Sequence, residues 1–133
     1  MVIDDSPVLL SQFNHWVSAL GYSVITCEDA KNAIDMIKKV KPDVIFIDIN
    51  MPEISGFELV KKIRQHPELK GIALTILTGE QKLSNKWRAQ WSGCDFLTKP
   101  LTSEAIAGFQ VQLEELIPRL LDPATAKLEI HTN

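Results

Sequence analysis

Short apolar runs alternate along the chain with segments in which apolar residues recur every three or four positions. The short runs predict β-strands, and the helical spacing predicts amphipathic helices between them. Alternation of strand and helix is typical of a parallel sheet with helices on both faces. The run at 43–48 is apolar on both alternations, as expected of a central buried strand. The predicted strands are residues 1–3, 24–27, 43–48, 72–78 and 96–98.

Capping residues precede several of the predicted helices. Ser6, Asp29 and Ser55 each stand directly before a helical segment, where a side-chain oxygen accepts a hydrogen bond from a first-turn amide. Ser55 and Glu58 also have the spacing of a capping box. The last helix contains Pro118, which lacks an amide hydrogen and is expected to kink that helix or end it early.

The fourth predicted helix, at about 83–92, carries two tryptophans four residues apart. Together with Leu83, Trp87 and Trp91 form a stripe that suits a helix face packed on the core. A small residue at Ala89 would suit the sheet-facing side equally well and would turn Trp91 toward solvent. The sequence leaves both placements of Trp91 open.

Composition limits the class of protein. The 133 residues suffice for one domain with a real core and are too few for two ordinary ones. The net charge of −3 gives no reason to expect nucleic acid or a membrane surface as a partner, and no apolar stretch reaches the ~20 residues of a membrane span. Cys27 and Cys94 lack metal-ligand spacing and are expected in the core. A cytoplasmic setting is expected.

Polar side chains stand at the ends of four predicted strands: Asp4 and Asp5, Asp48, Thr78, and Lys99. The carboxyl ends of parallel strands share one edge of a sheet, which is where such sheets bind ligands. Three carboxylates at one edge repel one another, on the order of several kcal/mol at an intermediate effective dielectric constant. The site therefore requires a cation. Oxygen ligands suit Mg²⁺ or Mn²⁺ better than zinc.

These positions fall within four short motifs. They are residues 2–6 (Val-Ile-Asp-Asp-Ser), 48–52 (Asp-Ile-Asn-Met-Pro) with Ser-Gly at 55–56, 77–79 (Leu-Thr-Gly) and 98–100 (Thr-Lys-Pro). With these motifs in this order, residues 1–121 resemble the receiver domains of bacterial two-component response regulators. The resemblance implies an α/β fold with a doubly wound five-stranded parallel sheet of flavodoxin-like order 2-1-3-4-5. Residues 122–133 are then expected to be a flexible tail or linker.

The resemblance also implies the chemistry of the site. Asp48 would accept a phosphoryl group. Asp5 would bind Mg²⁺ (or Mn²⁺) directly, Asp4 would assist, often through water, and Asp48 and the backbone carbonyl of Asn50 would complete the metal ligands. Phosphoryl transfer suits such a site because it needs mainly a positioned nucleophile, a divalent ion and a fixed cation.

Further roles follow from the same resemblance. Thr78 and Lys99 would contact the phosphoryl oxygens, and Thr78 and Phe96 would form a switch in which the aromatic ring turns inward after the hydroxyl moves. Family members often have tyrosine where this chain has Phe96. The peptide bond before Pro100 would be cis and would aim Lys99 at the site. The turn between Gly93 and Lys99 is one residue shorter than is common in the family.

Two more positions complete the predicted site. Asn50 and Glu80 would flank the path of attacking water and tune dephosphorylation. Output would pass through the fourth helix, fifth strand and last helix, with Trp91 as an anchor for a partner or for a second copy of the domain. Lys86 and Arg88 would give that surface a basic rim suited to an acidic partner.

The resemblance implies a phosphorylation-activated signalling switch. A histidine kinase or histidine phosphotransfer protein would supply the phosphoryl group, and a downstream protein or output domain would respond, with homodimerisation through the output surface as a further possibility. Catalysis would be limited to self-phosphorylation and slow hydrolysis of the aspartyl phosphate, with no dedicated small-molecule substrate.

Three alternative classes of protein fit the sequence less well. A pseudo-receiver, which binds proteins without phosphorylation, is disfavoured by the complete set of acids and Lys99. A phosphatase of the haloacid dehalogenase kind would place a second acid two positions after its nucleophile, whereas Asp4 and Asp5 are adjacent. A flavodoxin-like electron carrier would need hydroxyl and glycine residues after the first strand, which the chain lacks there.

Overall fold

The computed structural model describes residues 1–79 and 83–122, with only the backbone of residues 83–85. The strands are β1 (Val2–Ile3), β2 (Thr26–Cys27), β3 (Val44–Asp48), β4 (Ala73–Thr78) and β5 (Asp95–Thr98). They form one parallel sheet in the order β2-β1-β3-β4-β5. The predicted fold class and strand order are confirmed. Every residue of β3 is buried, as expected of a strand covered on both faces.

Helices follow the strands as predicted. They are α1 (Pro7–Ala19), α2 (Ala30–Val40), α3 (Gly56–Arg64), α4 (Leu83–Trp91) and α5 (Ser103–Leu121), with a short 3₁₀ helix at Pro67–Leu69. The side chains of Ser6, Asp29, Ser55 and Thr102 each accept a hydrogen bond from an amide in the first turn of the helix that follows. None of the helices in the described residues is long and apolar enough to cross a membrane.

Of the two outcomes predicted for Pro118, a kink or an early end of the last helix, the early end is wrong. Helix α5 continues through Pro118 to Leu121. Because proline has no amide hydrogen, the helix lacks one hydrogen bond near its end. Leu116 and Ile117, in the same turn, are buried in the core. Tertiary packing therefore holds this turn in place.

The two faces of the sheet are packed differently. On one face α1 and α5 cover an aromatic cluster, in which the ring centroid of Phe13 lies 4.8 Å from that of Phe46 and 6.0 Å from that of Phe109. Trp16 completes it at 5.5 Å from Phe109. We call this the aromatic face. The aliphatic face, covered by α2, α3 and α4, is built mainly from buried isoleucine, leucine and valine, including Ile37, Leu59 and Ile76.

Helix α4 places its two tryptophans outside the core. Ala89 is fully buried against the sheet, whereas Trp87 is 57% exposed and Trp91 is 93% exposed. This arrangement decides between the two placements that the sequence left open for Trp91. Cys27 and Cys94 are buried as free thiols, in agreement with their expected place in the core.

Candidate functional site

The carboxyl ends of three strands bring Asp4, Asp48 and Lys99 together. The ammonium Nζ of Lys99 lies 2.8 Å from Oδ2 of Asp4 and 2.9 Å from Oδ1 of Asp48. The side chains of Asp4 and Asp48 are almost completely buried, and that of Lys99 is 18% exposed. The backbone amide of Lys99 donates to the carbonyl oxygen of Thr78 at 2.7 Å, so pairing with β4 fixes the origin of the lysine side chain.

Local hydrogen bonds orient the two buried carboxylates. Oδ1 of Asp4 accepts from the amide of Ser6 at 2.9 Å, and Ser6 in turn caps α1. Oδ1 of Asp48 accepts a longer bond, 3.4 Å, from the amide of Asn50 in the loop after β3. Both carboxylates are thus oriented by backbone amides that lie directly after the strands carrying them.

Burial dominates the electrostatics of Asp48. Removal from water raises the pKa of its carboxyl from 3.8 to about 6, and the negative charge of Asp4 acts in the same direction, while the hydrogen bond and charge of Lys99 oppose the shift. For Lys99, burial lowers the pKa of the ammonium, but its bonds to Asp4 and Asp48 outweigh that effect and raise it. The lysine is therefore a fixed cation, whereas Asp48 is poised to gain or lose charge.

The acids form a donor set that fits a hard divalent cation. One carboxylate oxygen from each of Asp4, Asp5 and Asp48 lies within 4.8 Å of the others. Asp4 and Asp48 are buried and Asp5 is exposed, so the cluster opens to solvent on the side of Asp5. An all-oxygen set with access for water suits Mg²⁺, which keeps several of its own waters. One lysine neutralises one of the three negative charges, and the rest of the charge favours a bound cation.

Thr78 and Phe96, the predicted switch pair, lie on neighbouring strands. Thr78 is fully buried at the end of β4, next to Thr98 in β5. Phe96 is half-buried and packs against the aliphatic face. Phe96 is therefore neither enclosed in the core nor free of it. Asn50 is exposed at the edge of the site, and Glu80 lies outside the described residues.

The predicted cis peptide before Pro100 is wrong. No peptide bond in residues 1–79 or 83–122 is cis. A bond before proline favours trans by only about 0.5–1 kcal/mol, so either isomer is accessible to the chain. Lys99 reaches both carboxylates with this bond in trans. The aim of the ammonium is set by the pairing of β5 with β4 instead.

Gly56 is a further site residue, whose role the sequence motif did not reveal. A Cβ atom added at Gly56 would lie 2.5 Å from the carbonyl oxygen of Asp48 and 2.9 Å from Cα of Ile49. The amide of Gly56 also donates to the carbonyl of Ile49 at 2.9 Å. The first residue of α3 therefore rests directly on the backbone of the candidate phosphoacceptor. The pair Ser55 and Gly56 was the available signal, because a glycine after a capping serine indicates close backbone approach.

Trp91 lines a cleft between α3 and α4 with a volume of about 720 Å³. The α3 residues Phe57, Val60 and Lys61 form the opposite wall. Trp91 was predicted to anchor a surface made by the fourth helix, fifth strand and last helix. That role stays a prediction. The exposed side chain of Trp91 also lines the groove shared with the third helix, and Lys86 and Arg88 are exposed on the same helix as Trp91.

Comparison with known proteins agrees with the fold and the motifs. The family model described as response regulator receiver domain matches residues 1–108. The chain is 28% identical over 103 residues to the polar-differentiation response regulator DivK of Brucella anthropi, covering 77% of this chain and 84% of that protein. It is 27% identical over 107 residues to protein PilH of Pseudomonas aeruginosa, covering 80% and 88%.

Solved structures are similar over the same region. The chemotaxis response regulator CheY4 of Vibrio cholerae matches with a TM-score of 0.71 at 31% identity, covering 85% of this chain and 94% of that chain. The response regulator domain of Thermotoga maritima CheB matches with a TM-score of 0.78 at 25% identity, covering 91% and 93%. The chain therefore belongs to the response regulator receiver domains of two-component signalling.

Proposed function

We propose that Asp48 accepts a phosphoryl group from a phosphohistidine donor and that this event switches the domain. The observation that carries the proposal is the ammonium of Lys99 held 2.9 Å from Asp48 and 2.8 Å from Asp4. A fixed cation beside a buried carboxylate is what in-line transfer of a negatively charged group requires. Residues 1–121 form the receiver unit in this proposal, whereas the tail or linker predicted at 122–133 lies, from residue 123 onward, outside the described residues.

The chemistry assigned to each residue follows from its position. A carboxylate oxygen of Asp48 attacks phosphorus, a new P–O bond forms, and the P–N bond to the donor histidine breaks with its electron pair leaving on the imidazole, which takes up a proton. Lys99 stabilises the charge on the phosphoryl oxygens, and Thr78 contacts them from β4. Positioning supplies much of the rate, because a carboxylate is a weak nucleophile in water.

Receiver domains typically bind Mg²⁺ at an acidic pocket, and Asp4, Asp5 and Asp48 supply such a cluster here. We assign these three side chains and the carbonyl of Asn50 as the residues that hold Mg²⁺. When bound, the ion would neutralise the carboxylates and the charge that develops on the phosphoryl oxygens. Asp4 and Asp48 are already oriented by backbone amides, so binding needs little rearrangement of these two acids.

Receiver domains interact with histidine kinases and downstream effectors, and this chain is proposed to do so in the cytoplasm. Thr78 and Phe96 form the readout, in which a shift of the threonine hydroxyl toward the phosphoryl group frees space that the ring enters. The half-buried position of Phe96 on the aliphatic face supports this role, because the ring has room to exchange solvent contact for core contact.

Intact-mass measurement after treatment with acetyl phosphate or a phosphohistidine protein, with and without Mg²⁺, tests the acceptor. The wild type is expected to gain one phosphoryl group only when Mg²⁺ is present, and Asp48→Asn is expected to gain none. The matched control is Asp43→Asn, which changes an exposed acid directly before β3, at the end opposite Asp48, and should leave labelling unchanged. Labelling of Asp48→Asn at the wild-type rate would place the acceptor elsewhere, and no labelling of the wild type would favour the pseudo-receiver alternative.

The rate of dephosphorylation tests the role of Asn50 and Glu80, the two residues predicted at the edge of the site. Substitutions at Asn50 and Glu80 are expected to change the lifetime of the phosphorylated form more than the rate of its formation. The lifetime is followed by the loss of the phosphoryl mass after removal of the donor. Equal lifetimes across several substitutions at both positions would remove the two residues from the mechanism.

A further inference from the structure

The groove between α3 and α4 combines exposed aromatic surface with fixed positive charge. Trp87 and Trp91 are four residues apart and project on one side of α4, and they are the only exposed tryptophan, tyrosine or phenylalanine side chains in the described part of the chain. An indole that is 93% exposed contributes almost nothing to the stability of its own domain. Exposed tryptophans of this kind are enriched among residues that dominate binding energy.

Two arginines are held in place along the walls of this groove. The guanidinium carbon of Arg88 stacks 4.1 Å from the ring centroid of Phe57. Nη1 of Arg64 donates to the carbonyl oxygens of Lys70 and Ile72, each at 3.2 Å. Because intramolecular contacts already fix both side chains, a ligand that pairs with them pays less side-chain entropy than it would with free lysines.

The charge of the groove is opposite to that of the chain. Its walls carry three cations, Lys61, Arg64 and Arg88, against one anion, Glu58, whereas the whole chain has a net charge of −3. A positive groove on a negative protein favours a partner whose acidic residues are confined to one short segment. A long polyanion would be repelled by the rest of the surface. Phe57 and Val60 lie at the base of the groove and are buried, so the exposed indoles of Trp87 and Trp91 supply the apolar surface that calls for apolar side chains in the partner.

We propose that the α3–α4 groove, defined by Phe57, Val60, Lys61, Arg64, Arg88 and Trp91, binds an acidic amphipathic segment of a partner protein. Apolar side chains of the segment sit against the tryptophans, and its carboxylates pair with the arginines. A cleft between two helices suits a segment that presents apolar residues at helical spacing. This proposal does not depend on phosphorylation of Asp48.

Selection from a displayed library of random short peptides, with counter-selection on the Trp91→Ala variant, defines the partner class directly. The expected consensus contains apolar residues three or four positions apart together with aspartate or glutamate. Enrichment of basic peptides, or of none that distinguish wild type from Trp91→Ala, would overturn the proposal. Trp91→Ala should melt at the same temperature as wild type, which separates loss of binding from loss of folding.

The selected peptide is then titrated against the full chain, with tryptophan fluorescence as the signal. Trp91→Ala and Lys61→Glu are each expected to weaken binding roughly tenfold or more. The matched controls are Val8→Ala, an exposed apolar residue on α1, and Lys39→Glu, an exposed cation on α2, and both should bind as wild type does. Equal losses in the control variants would overturn the assigned groove.

A parallel titration with single-stranded oligo-dT distinguishes a protein partner from nucleic acid. Little or no binding of oligo-dT at physiological salt is expected. Binding tighter than that of the selected peptide, lost in Trp91→Ala, would replace the proposal with a nucleic-acid surface. The titrations are repeated on Asp48→Asn, in which the same affinities are expected, so failure of the phosphoacceptor proposal leaves this test intact.

Discussion

The two faces of the sheet are covered by helices in both cases but are packed with different kinds of side chain. On the aromatic face, the rings of Phe13, Trp16, Phe46 and Phe109 meet at tilted or edge-on angles under α1 and α5. On the aliphatic face, branched side chains fill the space under α2, α3 and α4, and two tryptophans remain outside. Interlocked rings permit few alternative arrangements, whereas aliphatic cores tolerate repacking at a smaller cost.

The alternation of side chains links this difference to the site. In β3, Phe46 belongs to the aromatic face, so Asp48, two residues later, lies on the same side. In β5, Phe96 packs against the aliphatic face. The candidate phosphoacceptor thus stands at the end of the aromatic face, and the candidate switch ring adjoins the aliphatic face. The buried charges and the candidate switch ring therefore depend on the packing of opposite faces of the sheet.

The largest expected effect contrasts two tryptophans. Trp16→Ala removes a ring from the aromatic cluster and is expected to lower the free energy of unfolding by about 3–5 kcal/mol. Trp91→Ala, with the same change in volume at an exposed position, is expected to change it by less than about 0.5 kcal/mol. Urea denaturation followed by circular dichroism measures both. Similar losses in the two variants would show that α4 packs differently and would break the contrast between the faces.

The second effect contrasts two glycines in helices on opposite faces. Gly56→Ala forces a methyl group against the backbone of Asp48 and Ile49 and is expected to destabilise the protein by about 1–3 kcal/mol and to slow labelling of Asp48. The control is Gly108→Ala in α5, where an added Cβ meets nothing within 4 Å.

Gly108→Ala is expected to stabilise the protein by about 0.5–1 kcal/mol, because alanine has the higher helix propensity, and to leave labelling unchanged. Denaturation and intact-mass labelling are measured on the same samples. If Gly56→Ala left both stability and labelling at wild-type values, the close contact between the first residue of α3 and the backbone of Asp48 would not constrain the site.

Most of the fold and the central site residues were predictable, because both depend on strong local signals. Apolar runs located all five strands, and the polar residues at their ends placed Asp4, Asp48 and Lys99 within ion-pair distance. Strand starts were less predictable. The run at 24–27 forms a strand only over Thr26–Cys27, because a two-residue β1 offers few ladder partners.

The features that were not predictable depend on contacts between distant parts of the chain. The continuation of α5 past Pro118 depends on Leu116 and Ile117 packing against the sheet, which outweighs a local helix breaker. The placement of Trp91 depends on which side of α4 meets the sheet, and a stripe of apolar residues at helical spacing was compatible with either. The raised pKa of Asp48 depends on burial, which strand-end position alone does not specify.

The last prediction concerns the charge at the end of the aromatic face. Burial raises the pKa of Asp48 to about 6 in the folded chain, against 3.8 for a free carboxyl. Between about pH 4 and pH 6 the folded state therefore holds a proton that the unfolded state has lost, so this group's contribution to the free energy of unfolding falls as pH rises through that window.

Two pKa units correspond to about 3 kcal/mol, and about 1 kcal/mol is subtracted because the amide of an asparagine at this position needs hydrogen-bond partners of its own. In EDTA at pH 7, Asp48→Asn is thus expected to be about 2 kcal/mol more stable than wild type. The advantage should disappear near pH 4, and Asp43→Asn, an exposed position directly before β3, should show no such advantage. Urea denaturation at several pH values isolates the contribution of the site, because carboxyls remote from Asp48 titrate in the same way in both proteins and cancel in the difference. If Asp48→Asn were less stable than wild type at pH 7, the ion pair between Asp48 and Lys99 would outweigh the cost of burying the charge. The charged site would then stabilise the fold.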